Sequence, residues 1–111
     1  MDVELLVVPD CSNGEHAAVL LRAALDDVGL GTVRFRTTII ATLDEAQRRQ
    51  FIGSPTILIN GDDPFLTPGA QPAIACRTYP GGTGPVGIPE LRDLREALKH
   101  AADATAPANR G

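Results

Sequence analysis

Apolar positions along the chain fall into runs and stripes that alternate between two periods. Val3 to Val8 is apolar throughout except at Glu4 and stops at Pro9, as expected of a central strand buried on both faces. Ser12-Asn13-Gly14-Glu15 then has the spacing of a capping box, in which Ser12 and Glu15 exchange hydrogen bonds across the first turn of a helix. Ala17, Leu20, Leu21, Ala24, Leu25 and Val28 follow at three- and four-residue intervals as far as Gly29 and Gly31, which predicts that helix. From Thr32 to Ile40, Val33, Phe35 and Thr37 alternate with Arg34, Arg36 and Thr38, the period of a partly exposed strand at a sheet edge.

Thr42-Leu43-Asp44-Glu45 repeats the capping signature, and Leu43, Ala46, Gln50 and Phe51 predict a short helix that Gly53 ends. Pro55 to Ile59 is β-branched and apolar and closes on Asn60-Gly61, a third strand followed by a turn. Gly61 to Pro72 is too rich in Pro, Gly and Asp for a regular element. Ala73 to Tyr79 then predicts a fourth strand. Gly81, Gly82 and Gly84 read as a flexible rim. Pro89 opens a last helix with Leu91, Leu94, Leu98 and Ala101 on one face. The order βαβαββα predicts an α/β domain with a central four-stranded mixed sheet over residues 1–101, and a disordered tail over 102–111.

Composition narrows this picture. A chain of 111 residues suits one domain, and with three Phe, one Tyr and no Trp its core must be aliphatic. Ten basic residues against fourteen acidic give a net charge of -4. The scattered Arg and scarce aromatics exclude a nucleic-acid footprint. No apolar stretch approaches the ~20 residues that span a bilayer, and the opening MDVELLVVPD lacks a basic start, so no membrane partner and a cytoplasmic location are expected. Two cysteines are too few for a disulfide framework or a four-thiolate metal site, and no cofactor or resident metal is expected.

The candidate chemistry lies with the thiols. Cys11 falls between the first strand and the first helix, where unpaired amides and the helix dipole favour a thiolate, although the neighbouring Asp10 opposes it. His16, five residues on, lies about 140° around a helix from Cys11 and is not its base, and His100 suits the end of the last helix. If the third and fourth strands pair, Cys76 and Arg77 come close to Pro55 and Thr56. Cys76 then either resolves an oxidised Cys11 or packs as a core residue. Arg77 reads as a solvated strand residue rather than an anion site.

The element order, with Cys11 at the start of the first helix and Gly53-Ser54-Pro55-Thr56 at the start of the third strand, resembles the thioredoxin fold over about residues 2–101. The resemblance implies a cis-proline at Pro55, facing Cys11, with backbone groups there left free for a substrate chain. The usual Cys-x-x-Cys is here Cys11-Ser12-Asn13-Gly14, which lacks the second thiol. More narrowly, Phe51 to Thr56, Asp63-Pro64-Phe65 and Cys76-Arg77-Thr78-Tyr79 are similar to short bacterial thioredoxin-like proteins, some of them selenoproteins, called DF-family or alkylmercury lyase-like.

Three functions follow as expectations. The first is a thiol-disulfide oxidoreductase or thiol peroxidase. Cys11 is its nucleophile, Ser54, Pro55 and Thr56 bind substrate, and Cys76 or an external thiol resolves the product. Its partners are a small glutathione-like thiol or a protein disulfide. The second is an alkylmercury lyase, with two thiolates on a soft metal and Asp10 as proton donor. The third is a non-catalytic binding domain or homodimer.

Overall fold

The apolar run at the N-terminus forms β1 (Val3–Val7), every residue of which is buried, Glu4 included. It is the middle of a three-stranded mixed sheet, parallel to β2 (Phe35–Ile39) on one side and antiparallel to β3 (Thr56–Ile59) on the other. β2 is an edge strand, as its alternation predicts. The structure, a computed structural model, describes residues 1–105.

Both faces of the sheet are covered, and the residue alternation along β1 sorts the two cores. Val3, Leu5 and Val7 join Ile57 and Ile59 under α1 (Gly14–Asp27) and α3 (Leu91–Thr105), which contribute Leu21, Leu25, Leu94 and Leu98. On the other face Leu6 and Ile40 meet Ala46 and Phe51 of α2 (Leu43–Arg49) and its C-terminal turn. Fully burying a side chain such as Leu21 or Phe51 contributes about 1.5–3 kcal/mol. These contacts, rather than helix propensity, hold so short a helix as α2 in place.

Local chemistry fixes the element ends. At α2 the Thr42 hydroxyl accepts from the Glu45 amide at 3.2 Å, while the Glu45 carboxylate accepts from the Ala41 amide at 3.3 Å. Gln50, with a left-handed φ of 52°, ends this helix, three residues ahead of the expected Gly53. The capping box predicted for α1 does not form. Asn13 is the N-cap and makes no side-chain cap; instead the Gly14 amide donates to the Cys11 carbonyl at 3.2 Å, so the turn closes on backbone alone. α3 starts at Leu91, two residues past Pro89, and includes Ala102 to Thr105; the rest of the tail expected to be disordered lies outside the described residues.

The main departure concerns the expected four-stranded sheet. The fourth strand predicted over Ala73 to Tyr79 does not pair with β3. Its middle runs parallel to the residues that precede β3, through a single bridge between Ser54 and Cys76. The physical reason is Arg77. Its guanidinium bonds to Asp63 and to the Phe65 carbonyl, which folds the Gly61 to Pro72 loop back on itself and turns the segment away from an antiparallel register. β4 (Tyr79–Gly81) pairs instead with β5 (Gly84–Val86) in a separate hairpin, so the glycines read as a flexible rim are strand and turn residues. The fold is therefore mixed α/β, with three helices, a three-stranded sheet and a two-stranded one. No helix among the described residues is long and apolar enough to cross a membrane.

Candidate functional site

The chain leaves β1 through Pro9 and turns sharply at Asp10, whose φ of 60° lies in the left-handed region that Asp tolerates better than most residues. This turn sets Cys11 against the side of α1, half-buried and packed on the larger core. Gly87, in the loop before α3, seats the turn from outside. A Cβ there would lie 2.2 Å from the Asn13 Nδ2, so any other residue would have to displace the Asn13 side chain.

Cys11 opens on a groove of about 420 Å³ between α1 and the edge strand β2. Its lining includes Val7, Pro9, Ala18 and Ile39, together with Asp10 and Glu15. Neither His16 nor any Arg or Lys lines it.

The segment at Pro55 is built differently. The Ser54–Pro55 peptide bond is cis, and Ser54, Pro55 and Thr56 are all buried. Its polar groups are engaged within the chain. The Ser54 amide donates to the Ala75 carbonyl at 2.7 Å, and the Ser54 carbonyl accepts from the Arg77 amide at 3.0 Å. The Ser54 hydroxyl oxygen accepts from the Val8 amide at 3.1 Å, and the Pro55 carbonyl accepts from the Tyr79 hydroxyl. The Thr56 hydroxyl donates to the Gly53 carbonyl at 2.6 Å and accepts from Arg77 at 3.1 Å. The backbone expected to be free for a substrate chain is thus occupied by the chain's own Ala75 to Arg77.

Cys76 rides on that segment and is exposed, so it is not a core residue. Both thiols are free, and the groove beside Cys11 includes neither Cys76 nor residues 54–56. The link between the two cysteines runs through Ser54, whose side chain holds Val8 at the end of β1 and whose backbone holds the strand of Cys76. No protein family matches the chain. Nor does any curated protein or solved structure.

Arg77 reverses its expected role. Rather than a solvated strand residue it is 8% exposed, pairs with Asp63 at 2.7 Å, and stacks its guanidinium 4.5 Å from the centre of the Tyr79 ring. Phe65 meets the same ring edge-on at 5.5 Å. The sequence signal was Asp63-Pro64-Phe65, an Asx turn in which the Phe65 amide donates to the Asp63 carboxylate at 2.9 Å. A second feature missed in the sequence lies under α2. Glu4, 6% exposed, accepts from Thr38 at 2.6 Å, Arg49 at 2.6 Å and Arg36 at 3.3 Å. A lone acid within an apolar strand was the available clue. Among the described residues no group of three or more His, Cys, Asp or Glu side chains is placed to hold a metal ion.

Proposed function

We infer that the chain is a thioredoxin-like thiol-redox protein in which Cys11 is the nucleophile. The observation that carries this reading is a free, half-buried thiol at the head of α1, opening on a groove large enough for a small ligand. In the first step the Cys11 thiolate attacks one sulfur of a disulfide. A new S–S bond forms, the old one breaks, and the departing sulfur leaves as a thiolate. With a hydroperoxide, Cys11 is oxidised to the sulfenic acid and the peroxide is reduced to an alcohol. An external thiol, or Cys76, then attacks the Cys11 sulfur and forms a disulfide to it as the bound substrate sulfur leaves as a thiolate or, from the sulfenic acid, the hydroxyl leaves as water; a second external thiol exchanges with that disulfide and releases the Cys11 thiolate.

The buried cis-Pro55 segment supports the second half of the reading by what it holds. Ser54 carries the exposed Cys76 on the same residue that anchors the end of β1. A direct Cys11–Cys76 disulfide requires Cα atoms within about 7 Å. The test is mass spectrometry of the oxidised protein. Wild type and Cys76→Ser are treated with one equivalent of hydrogen peroxide, and each free thiol is then alkylated. The reading expects rapid loss of alkylation at Cys11 in both, and none of this in Cys11→Ser at Cys76. Equal slow oxidation of Cys11 in folded and denatured protein overturns it. An intramolecular disulfide in wild type assigns resolution to Cys76, and a stable sulfenic acid assigns it to an external thiol.

One observation favours a second reading, cleavage of an organomercurial. Asp10 lines the groove beside Cys11, where a protonated carboxyl could supply the proton that the carbon takes up as the carbon–mercury bond breaks and mercury(II) stays on sulfur. Incubation with methylmercury and excess thiol would release methane if this holds. Intact methylmercury removes the reading.

A further inference from the structure

The groove beside Cys11 carries information on charge that the thiol alone does not. Its floor and walls are aliphatic, from Val7, Pro9, Ala18 and Ile39, and its only acidic or basic side chains are Asp10 and Glu15. Among the described residues neither carboxylate takes part in an ion pair, whereas Asp2, Glu4, Asp26, Asp27, Asp44, Asp63, Glu90 and Asp93 all do. Among the described residues no Arg or Lys lines the groove, and several of the arginines are engaged elsewhere. Arg36 and Arg49 serve Glu4, Arg22 clamps the carbonyls of Leu30, Gly31 and Val33, and Arg77 is buried against Asp63.

An anion entering the groove therefore meets the Asp10 and Glu15 carboxylates, with no lining Arg or Lys to offset them and only the partial positive charge at the start of α1 in its favour. A ligand with an apolar body meets the aliphatic walls, and a positive end meets Asp10 and Glu15. We propose that the Cys11 groove selects small disulfide-type electrophiles that carry an apolar arm and a cationic end, and disfavours anionic ones such as oxidised glutathione. The proposal rests on Cys11 being the reactive thiol, as in the reading above. Fields of this kind act mainly on the rate of encounter and weaken with salt. Selectivity should thus appear in second-order rate constants.

The experiment uses methanethiosulfonate reagents, which share one leaving group and differ only in the transferred arm. The Cys11 thiolate attacks the sulfenyl sulfur, a Cys11–S–S–R bond forms, and methanesulfinate leaves with the bonding pair. Intact Cys76→Ser protein is reacted with the ethyltrimethylammonium, ethylsulfonate, methyl and benzyl reagents, each rate being divided by that of free cysteine. The expected result is benzyl and trimethylammonium above methyl, and trimethylammonium above sulfonate by about ten-fold or more at low salt. That ratio should shrink several-fold at about 0.5 M salt, where screening acts over only a few ångströms. It should also shrink in Asp10→Asn/Glu15→Gln, since Asn accepts the left-handed backbone of position 10.

A fast Cys11 with no charge order, or with the sulfonate preferred, overturns this proposal and leaves the redox reading standing. A Cys11 no faster than free cysteine with every reagent overturns both. The salt series needs no variant, so the test holds even if the double substitution fails to fold.

Discussion

Arg77 and Asp63 form an ion pair of 2.7 Å in which each side chain is only 6% exposed. The pair also fixes the site, because the same Arg77 donates its backbone amide to Ser54 and its guanidinium to Thr56. Removing one member leaves a buried charge without a counter-charge, which typically costs about 3–5 kcal/mol. Asp63→Asn should lower unfolding free energy by about that amount in a denaturant titration. Arg77→Met in the same protein should cost less than the sum of the two single changes, since no lone charge then remains. Additive losses would show that the two side chains do not act as a pair.

Gly53 is the point at which the Cys76 segment approaches most closely. Its φ is 142°, and a Cβ there would stand 2.7 Å from the Arg77 Cβ and 3.3 Å from the Ala75 carbonyl oxygen. Both the backbone conformation and the space demand glycine. Gly53→Ala should therefore destabilise by about 1–3 kcal/mol or more and loosen the strand that carries Cys76. Hydrogen exchange reads this directly. The amides of Ser54 and Arg77, which form the bridge, should lose protection before those of β1 and β3. Protection lost uniformly across the sheet would instead mean a global effect only.

Elements with a strong local period were legible in the sequence. The stripe Ala17, Leu21, Ala24 and Leu25 is the buried face of α1, and the Thr42 to Glu45 capping box is present at α2. What escaped was decided by long-range partners. Nothing near Ala73 to Tyr79 announces that Arg77 will bury its charge on Asp63, yet that contact sets the parallel bridge and removes the fourth strand from the sheet. Ser12 has the composition of a cap, but the positive φ of Asp10 bends the chain before it and hands the N-cap to Asn13. Cys11 stands out in the sequence by its place between a strand and a helix. Its groove does not, because Thr37 and Ile39 reach it from β2 across the sheet.

Tyr79 ties the hairpin to the site, its hydroxyl donating to the Pro55 carbonyl from a ring only 2% exposed. Tyr79→Phe keeps the ring contacts with Phe65 and Arg77 but leaves that buried carbonyl unpaired, a loss of about 1–3 kcal/mol. Burial pushes the phenol well above its ordinary value of 10.0, the Asp63 charge adding to this and the Arg77 charge opposing it. The neutral form is therefore favoured in the native state. Above about pH 10 the unfolded chain gives up this proton first, and native stability should fall as pH rises. Tyr79→Phe should show a shallower alkaline decline. Identical alkaline limbs in unfolding titrations would mean that the phenol is not held in this way.

Glu4 governs the opposite end of the pH range. Burial alone would push its carboxyl up, but hydrogen bonds from Thr38 and Arg49 and the charges of Arg49 and Arg36 outweigh it, so the group sits below its ordinary 4.5. The ionised form is then favoured by the native state, and the unfolded chain binds the proton more readily. Stability from this cluster is fully present above about pH 4.5 and is lost as pH falls through the lower native value. Glu4→Gln should remove about 1.5–3 kcal/mol at pH 7, the range for hydrogen bonds to a charged group. It should also flatten the acid limb between about pH 4.5 and the native titration. Arg36 is exposed and its contribution is screened by salt, whereas Thr38 is not charged. Thr38→Val should therefore reproduce part of the loss at every salt concentration, and Arg36→Gln chiefly at low salt. A Glu4→Gln variant with the full acid dependence of wild type would place the titrating group elsewhere.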